Sequence, residues 1–225
     1  SARTLPRGLL RVNATLGFGR SHVAPVIARF VQRHPEVEVQ LQLSVNPPPI
    51  TDDAFDVCIR FGEPPESRLI ARRLADNHRV LCAAPAYLER RGAPRTLTEL
   101  QGHDCLVIKE RDHPFGVWRL RGGALEQAVK VRGPLSANHG EMAVQWAVDG
   151  HGIVLRSLWD VATLLHAGQL VQVLPEWRQQ ANIWAVYPTR LERSAKVRVC
   201  VEFLQEHFRT GWMAQGAGTD ARTSV

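Results

Sequence analysis

Between residues 9 and 43 the spacing of apolar side chains changes period twice, and that change restricts the folds open to the chain. Leu9-Leu10-Arg11-Val12-Asn13-Ala14 reads as a strand, followed by a break at Thr15-Leu16-Gly17-Phe18-Gly19. Val23, Val26, Ile27, Phe30 and Val31 then recur at i, i+3, i+4, i+7 and i+8, the stripe of an amphipathic helix. Ser21 is placed to cap that helix, Pro25 is tolerable in its first turn, and His34-Pro35 ends it. Val37, Val39, Leu41 and Leu43 next alternate with Glu38, Gln40 and Gln42, the period of a half-buried strand. Strand, helix and strand complete a βαβ unit, which points to an α/β fold.

The rest of the chain keeps that rhythm. Strands are expected at 55–60, 79–83, 105–109, 117–120, 126–132, 152–155, 170–174 and 183–187, and helices at 85–91, 141–148, 159–167 and 195–209. At roughly 150 residues per domain, 225 residues allow one large core or two small ones. The longest nearly apolar stretch, 80–88, is far short of the ~20 residues a membrane-spanning helix needs. The first ten residues lack the apolar core of a secretory signal, so the cytoplasm is the expected compartment. Lys and Arg outnumber Asp and Glu by 28 to 22, a balance that favours anionic partners. No basic run exceeds the pairs Arg72-Arg73 and Arg90-Arg91, however, and acidic residues are interleaved, so no dedicated nucleic-acid arm is present. Cys58, Cys82, Cys105 and Cys200 have no CxxC spacing, and three of them lie in apolar strand-like runs; buried thiols are expected.

Signals for catalysis are missing. Gly17-Phe18-Gly19 would supply the first two glycines of a dinucleotide turn, but His22 occupies the third position, and Glu36 and Glu38 do not clearly end the second strand. The nine histidines form no HExxH pair and no Cys/His cluster, so neither a metal nor a cofactor is expected. There is no Gly-x-Ser-x-Gly elbow and no Walker A run; Ser21, Ser44, Ser136 and Ser157 read as caps or turn residues, and Asp52-Asp53 as solvated helix-start charges. Two helix starts gather small and polar groups instead: the turn at Gly17 to Gly19, and Ser136-Ala137-Asn138-His139-Gly140. Amides at such ends can hold a carboxylate or sulfonate, and Arg60 and Arg156 could add bidentate contacts. A tight turn without ligand, ordinary capping by Asn138, and surface arginines are the competing explanations.

Several motifs, taken in order, carry a resemblance. Gly8-Leu9-Leu10-Arg11-Val12 precedes the turn, Val23-Ala24-Pro25 and Phe30-x3-His34-Pro35-x-Val37 follow it, and then comes Phe55-Asp56-Val57-Cys58-Ile59-Arg60-Phe61-Gly62. Further on stand Leu81-Cys82-Ala83-Ala84-Pro85-Ala86-Tyr87-Leu88, His103-Asp104-Cys105-Leu106, Trp118-Arg119-Leu120, Gly150-x-Gly152-Ile153, Val173-Leu174-Pro175-x-Trp177 and Ala185-Val186-Tyr187-Pro188. Over residues 8–209 the chain resembles the effector-binding domain of LysR-type transcriptional regulators. That resemblance implies two Rossmann-like lobes of the type 2 periplasmic-binding-protein fold joined by two crossover strands, with a small effector in the cleft between them. Lobe I would be 8–82 plus 188–211 and lobe II 83–187, with 1–7 a remnant of the family's linker helix and 212–225 a disordered tail. The family's effector positions fall on Thr15, Gly17, Phe18 and Gly19, on Arg60 and Phe61, on Asn138, and on Arg156 and Ser157. The last two stand where the family often has Leu-Pro, which makes an anionic effector the expectation. The family's winged helix-turn-helix would precede Ser1, and DNA would be bound only through it; the resemblance further implies a homodimer, tetrameric in the full-length form, with no membrane partner. Two alternatives share the fold: a solute-binding protein of a transport system, and an enzyme of the porphobilinogen deaminase type, whose cofactor-bearing cysteine loop has no counterpart here.

Overall fold

The structure, a computed structural model, describes residues 5–50, 53–62, 68–111, 113–209 and 211–215. The chain opens with β1 (Gly8–Thr15), α1 (Leu16–Phe18), a π-helical turn (Gly19–Val23), α2 (Ala24–Arg33), β2 (Val37–Ser44), β3 (Val57–Phe61) and β4 (Leu69–Ala75). There follow β5 (His78–Ala83), α3 (Pro85–Arg91), a 3-10 turn (Thr98–Gly102), β6 (Cys105–Ile108), β7 (Val117–Gly122), β8 (Leu125–Lys130), β9 (Ser136–Ala137) and α4 (Gly140–Val148). The remainder is β10 (Ile153–Ser157), α5 (Leu158–His166), β11 (Val171–Val173), β12 (Gln179–Gln180), β13 (Ile183–Pro188), a second 3-10 turn (Thr189–Leu191), α6 (Ala195–Phe208) and α7 (Trp212–Gln215).

Two compact units result, one from Ser1–Asp76 with Asn182–Val225 and the other from Asn77–Ala181. At each crossing the border falls six residues earlier than the sequence suggested. Strand pairing is the reason: β5 bonds to β10, β11 and β12 of the second unit, whereas β13 lies between β3 and β4 of the first. The two crossing segments are zipped together, with Ala181 N–H donating to the Asn77 carbonyl at 3.0 Å and Asn77 Nδ2 to the Ala181 carbonyl at 2.9 Å.

In the first unit the sheet runs β2-β1-β3-β13-β4. β1 and β2 are parallel and in register from Gly8 opposite Val37 to Thr15 opposite Ser44, the pairing expected of a βαβ unit. α2 buries Val26, Ile27 and Phe30, three members of the stripe read from the sequence, against this sheet. Two readings change here. The expected break is helical from Leu16 on, and Ser21 lies inside the π-helical turn rather than capping α2, whose N-cap is Val23. β4 was not foreseen: Leu-Ile-Ala-Arg-Arg-Leu-Ala has no clean alternation, because an edge strand is held by backbone pairing and leaves Arg72 and Arg73 exposed.

The second unit is built on β11-β5-β10-β6-β9, with the β7–β8 hairpin as a separate two-stranded sheet. Leu81, Ala83, Cys105, Val107, Ile153 and Leu155 point to one face and join Tyr87, Leu100, Trp118 and Leu120. Val80, Cys82, Leu106 and Val154 point to the other and pack on Ala143, Val144 and Ala147 of α4 and Val161 of α5. A sheet covered on both sides is why these strands read as continuous apolar runs. All four cysteines are buried thiols, as expected. The expected disordered tail begins with the helical residues 212–215; its remainder, like residues 1–4 and Asp52, lies outside the described residues.

Candidate functional site

The first unit presents the end of β1 and the end of β3. Thr15 is the half-buried N-cap of α1 and makes no side-chain capping bond, so the amides of the following turn have no local acceptor from it. Gly17, Phe18 and Gly19 are all buried. At Gly19 a Cβ would stand 2.3 Å from Leu43 Cδ2 and 3.1 Å from Ala14 Cβ, so the glycine lets the helical turn press onto β1 and β2. Phe18 has no exposed surface and lies among the rings of Phe61, Phe208 and Trp212 at 5.1–5.8 Å. Of the turn residues expected at the ligand, Thr15 alone is partly exposed, and Gly17, Phe18 and Gly19 are buried.

Arg60, near the end of β3, is half-buried. Its guanidinium donates to the carbonyls of Ile59 at 3.0 Å and Pro48 at 3.2 Å, and among the described residues no carboxylate pairs with it. Burial alone drives its pKa below the ordinary guanidinium value. Phe61 next to it rests edge-on against Phe18. Asn13, two residues before Thr15, escaped the sequence reading. It is fully buried, its Nδ2 donates to the Gln42 carbonyl and Ser44 Oγ at 3.0 Å each, and its Oδ1 has no partner among the described residues. The available signal was an amide in an otherwise apolar strand centre.

The second unit presents the start of α4 and the corner from β10 to α5. Asn138 is exposed and precedes the N-cap, which is His139; neither supplies a side-chain bond to the helix start. His139 Nε2 is buried and has no partner among the described residues. Arg156 is tightly engaged: its Nε donates to Asp160 Oδ2 at 2.7 Å, and its guanidinium carbon is 5.3 Å from the centre of the Trp159 ring. The same guanidinium fills the space that a side chain on Gly140, the first residue of α4, would need. Ser157 is 2% exposed and accepts a bond from Asn77 Nδ2 at 3.1 Å, which ties the corner to the crossover. Asp160 was not anticipated, because it is the i+4 partner of Arg156 across a strand-to-helix corner rather than along one helix.

The thiols of Cys82, Cys105 and Cys200 are pushed up to about 12, chiefly by burial, and stay protonated near neutrality.

Comparison with known proteins agrees with this architecture. A family model described as the LysR substrate binding domain matches residues 3–209, and the chain belongs to that family. Among its relatives, the HTH-type transcriptional regulator DmlR of Escherichia coli K12 is 50% identical over 206 residues, 92% of this chain and 67% of that protein. The HTH-type transcriptional activator TtdR of the same strain is 47% identical over 216 residues, 96% of this chain and 68% of the relative. The structure of CrgA, a LysR-type transcriptional regulator from Neisseria meningitidis, superimposes with a TM-score of 0.76 at 28% identity, covering 92% of this chain and 70% of that one. Full-length AphB, the Vibrio cholerae virulence activator, gives 0.75 at 25% identity over 90% of this chain and 69% of its own. The protein is thus the effector-binding domain of a LysR-type transcriptional regulator, with the two-lobed fold of periplasmic binding proteins.

Proposed function

We propose that the domain senses a small anionic metabolite, and that Arg60 is the cation that selects it. The observation that carries this reading is the state of Arg60: a half-buried guanidinium desolvated by its surroundings, bonded to two carbonyls and to no carboxylate among the described residues. Such a group costs free energy in the empty protein, and an anion beside it recovers that cost. Thr15 and the amides of the turn after it add donors beside it in the first unit, where Gly17, Phe18, Gly19 and Phe61 hold these groups in place. Within the second unit, Asn138, the start of α4 and the Arg156–Asp160 pair, with Ser157 beside it, offer polar groups of the same kind. In the full-length regulator an N-terminal winged helix-turn-helix would bind DNA, the domain would dimerise, and effector occupancy would change the population of DNA-binding states. The similarity to regulators at 47–50% identity favours this reading over a transport protein or an enzyme.

A thermal-shift titration with small mono- and dicarboxylates, sulfonates, amino acids and aromatic acids tests it. A ligand at 100 times its dissociation constant stabilises by about 2.7 kcal/mol. For a chain of this size that raises Tm by roughly 5–10 °C. Arg60→Ala is expected to abolish the shift and Arg60→Lys to weaken it, because lysine keeps the charge and loses the planar fork. An equal shift in Arg60→Ala removes Arg60 from the site.

A further inference from the structure

The helix α7 follows α6 closely and brings Trp212 back onto the turn after β1. Trp212 is 6% exposed and meets three rings edge to face, His22 at 4.9 Å, Phe208 at 5.2 Å and Phe18 at 5.8 Å between centroids. Phe18 is the hub of the group: it also stacks on Phe208 at 5.7 Å and meets Phe61 at 5.1 Å. One ring therefore joins the C-terminal helix to both first-unit elements proposed to meet the effector, the turn beginning at Thr15 and the Arg60-Phe61 strand end. Trp212 also lines a groove of about 720 Å³ with Arg73, Leu74, Asp76, Gln205 and Met213.

The turn is irregular in its backbone. The π-helical stretch Gly19–Val23 is a rare single-turn bulge, here joining α1 to α2 in one continuous helical run. Thr15, the N-cap of this run, makes no side-chain capping bond. Trp212 is laid against one ring within the π-helical stretch, His22, and against Phe18, the residue just before it.

We infer that Trp212 is a positioning residue for the effector site: docking of α7 sets the backbone of residues 15–23, and with it the amides and hydroxyl offered to a ligand. The consequence for sensing rests on the effector reading above, but the dependence of the turn on Trp212 does not. By linkage, whatever displaces α7 changes effector affinity, and effector occupancy changes the docking of α7 to the same degree.

Amide hydrogen exchange on the 225-residue chain without ligand tests the dependence alone, so its failure is separate from failure of the effector reading. Trp212→Ala is expected to speed exchange at residues 16–23 at least about tenfold while amides of β3, β6 and β10 keep their rates, and Trp212→Phe is expected to restore protection to within about threefold. Unchanged exchange at 16–23 in Trp212→Ala overturns the inference. So does an equal acceleration across every strand of the first unit, which would make Trp212 a general core residue. Should Trp212→Ala not accumulate as folded protein, Trp212→Leu takes its place with the same two readings.

Discussion

Arg60 and Arg156 look alike in the sequence, each a cation closing an apolar strand, and the fold gives them different electrostatics. Arg60 has carbonyl partners, whereas Arg156 is neutralised by Asp160, both side chains of that pair being under a fifth exposed at 18% and 16%. Asp160 also lies in the first turn of α5, where the helix dipole favours a negative charge. Replacing it with asparagine leaves Arg156 largely buried without an anion, at a cost of roughly 2 kcal/mol. The same change exposes the uncompensated charge of Arg156 beside the start of α4. Asp160→Asn is therefore expected to melt earlier than the parent and to bind the anionic effector several-fold more tightly, both read from one titration series. Weaker melting with unchanged affinity would place Arg156 outside the ligand's field.

Glycines show how elements approach one another, and the Gly150-x-Gly152 motif becomes physical in the fold. Gly150, at φ +88°, follows the end of α4 in the left-handed region that favours glycine, and Gly152 lets β10 run against the Asp104 carbonyl at the start of β6. A Cβ on Gly152 would stand 2.2 Å from that backbone oxygen, which cannot swing away, so Gly152→Ala is expected to lose roughly 3 kcal/mol in a denaturation experiment. Gly140→Ala is the contrast: the obstructing atoms are the far end of Arg156, 1.9–2.8 Å from the new Cβ. Arg156 can move, but moving it separates it from Asp160, so stability there should fall by only about 1–2 kcal/mol while effector affinity falls. Equal stability losses in the two variants would contradict this distinction. The same logic explains which elements were legible. β1, α2 and β2 each bury one periodic face, and period is what a sequence displays. β4 and β12 exist through backbone pairing at a sheet edge, and residues 16–23 are helical although their composition reads as a turn. At the candidate site the sequence displayed Arg60 and the glycine turn, but neither the inward aim of Phe18 nor the Asp160 partner, because both depend on contacts remote in pattern.

Across the whole molecule three histidines share one electrostatic sign. His207 Nδ1 accepts from Arg29 at 2.6 Å, His78 has Arg178 nearby, and His103 pairs with Tyr87 Oη at 2.7 Å near Arg91. Burial first and the neighbouring arginine second hold all three pKa values below the ordinary imidazole value of 6.5. Their charged form is thus disfavoured in the folded chain relative to the unfolded one. Between the folded and unfolded values the unfolded chain binds more protons, so the stability these groups contribute is present above about pH 6.5 and is lost as pH falls through their folded values. The three lie in both units, His207 in the first and His78 and His103 in the second, so both units should weaken together on mild acidification. Urea denaturation at pH 7.5 and 5.5 is expected to show a lower midpoint at the lower pH. The triple variant His78→Gln, His103→Gln, His207→Gln, which keeps an acceptor at each place and cannot take up a proton, should show a smaller difference. A parent midpoint that does not move between these pH values would show that the half-buried imidazoles are not coupled to folding.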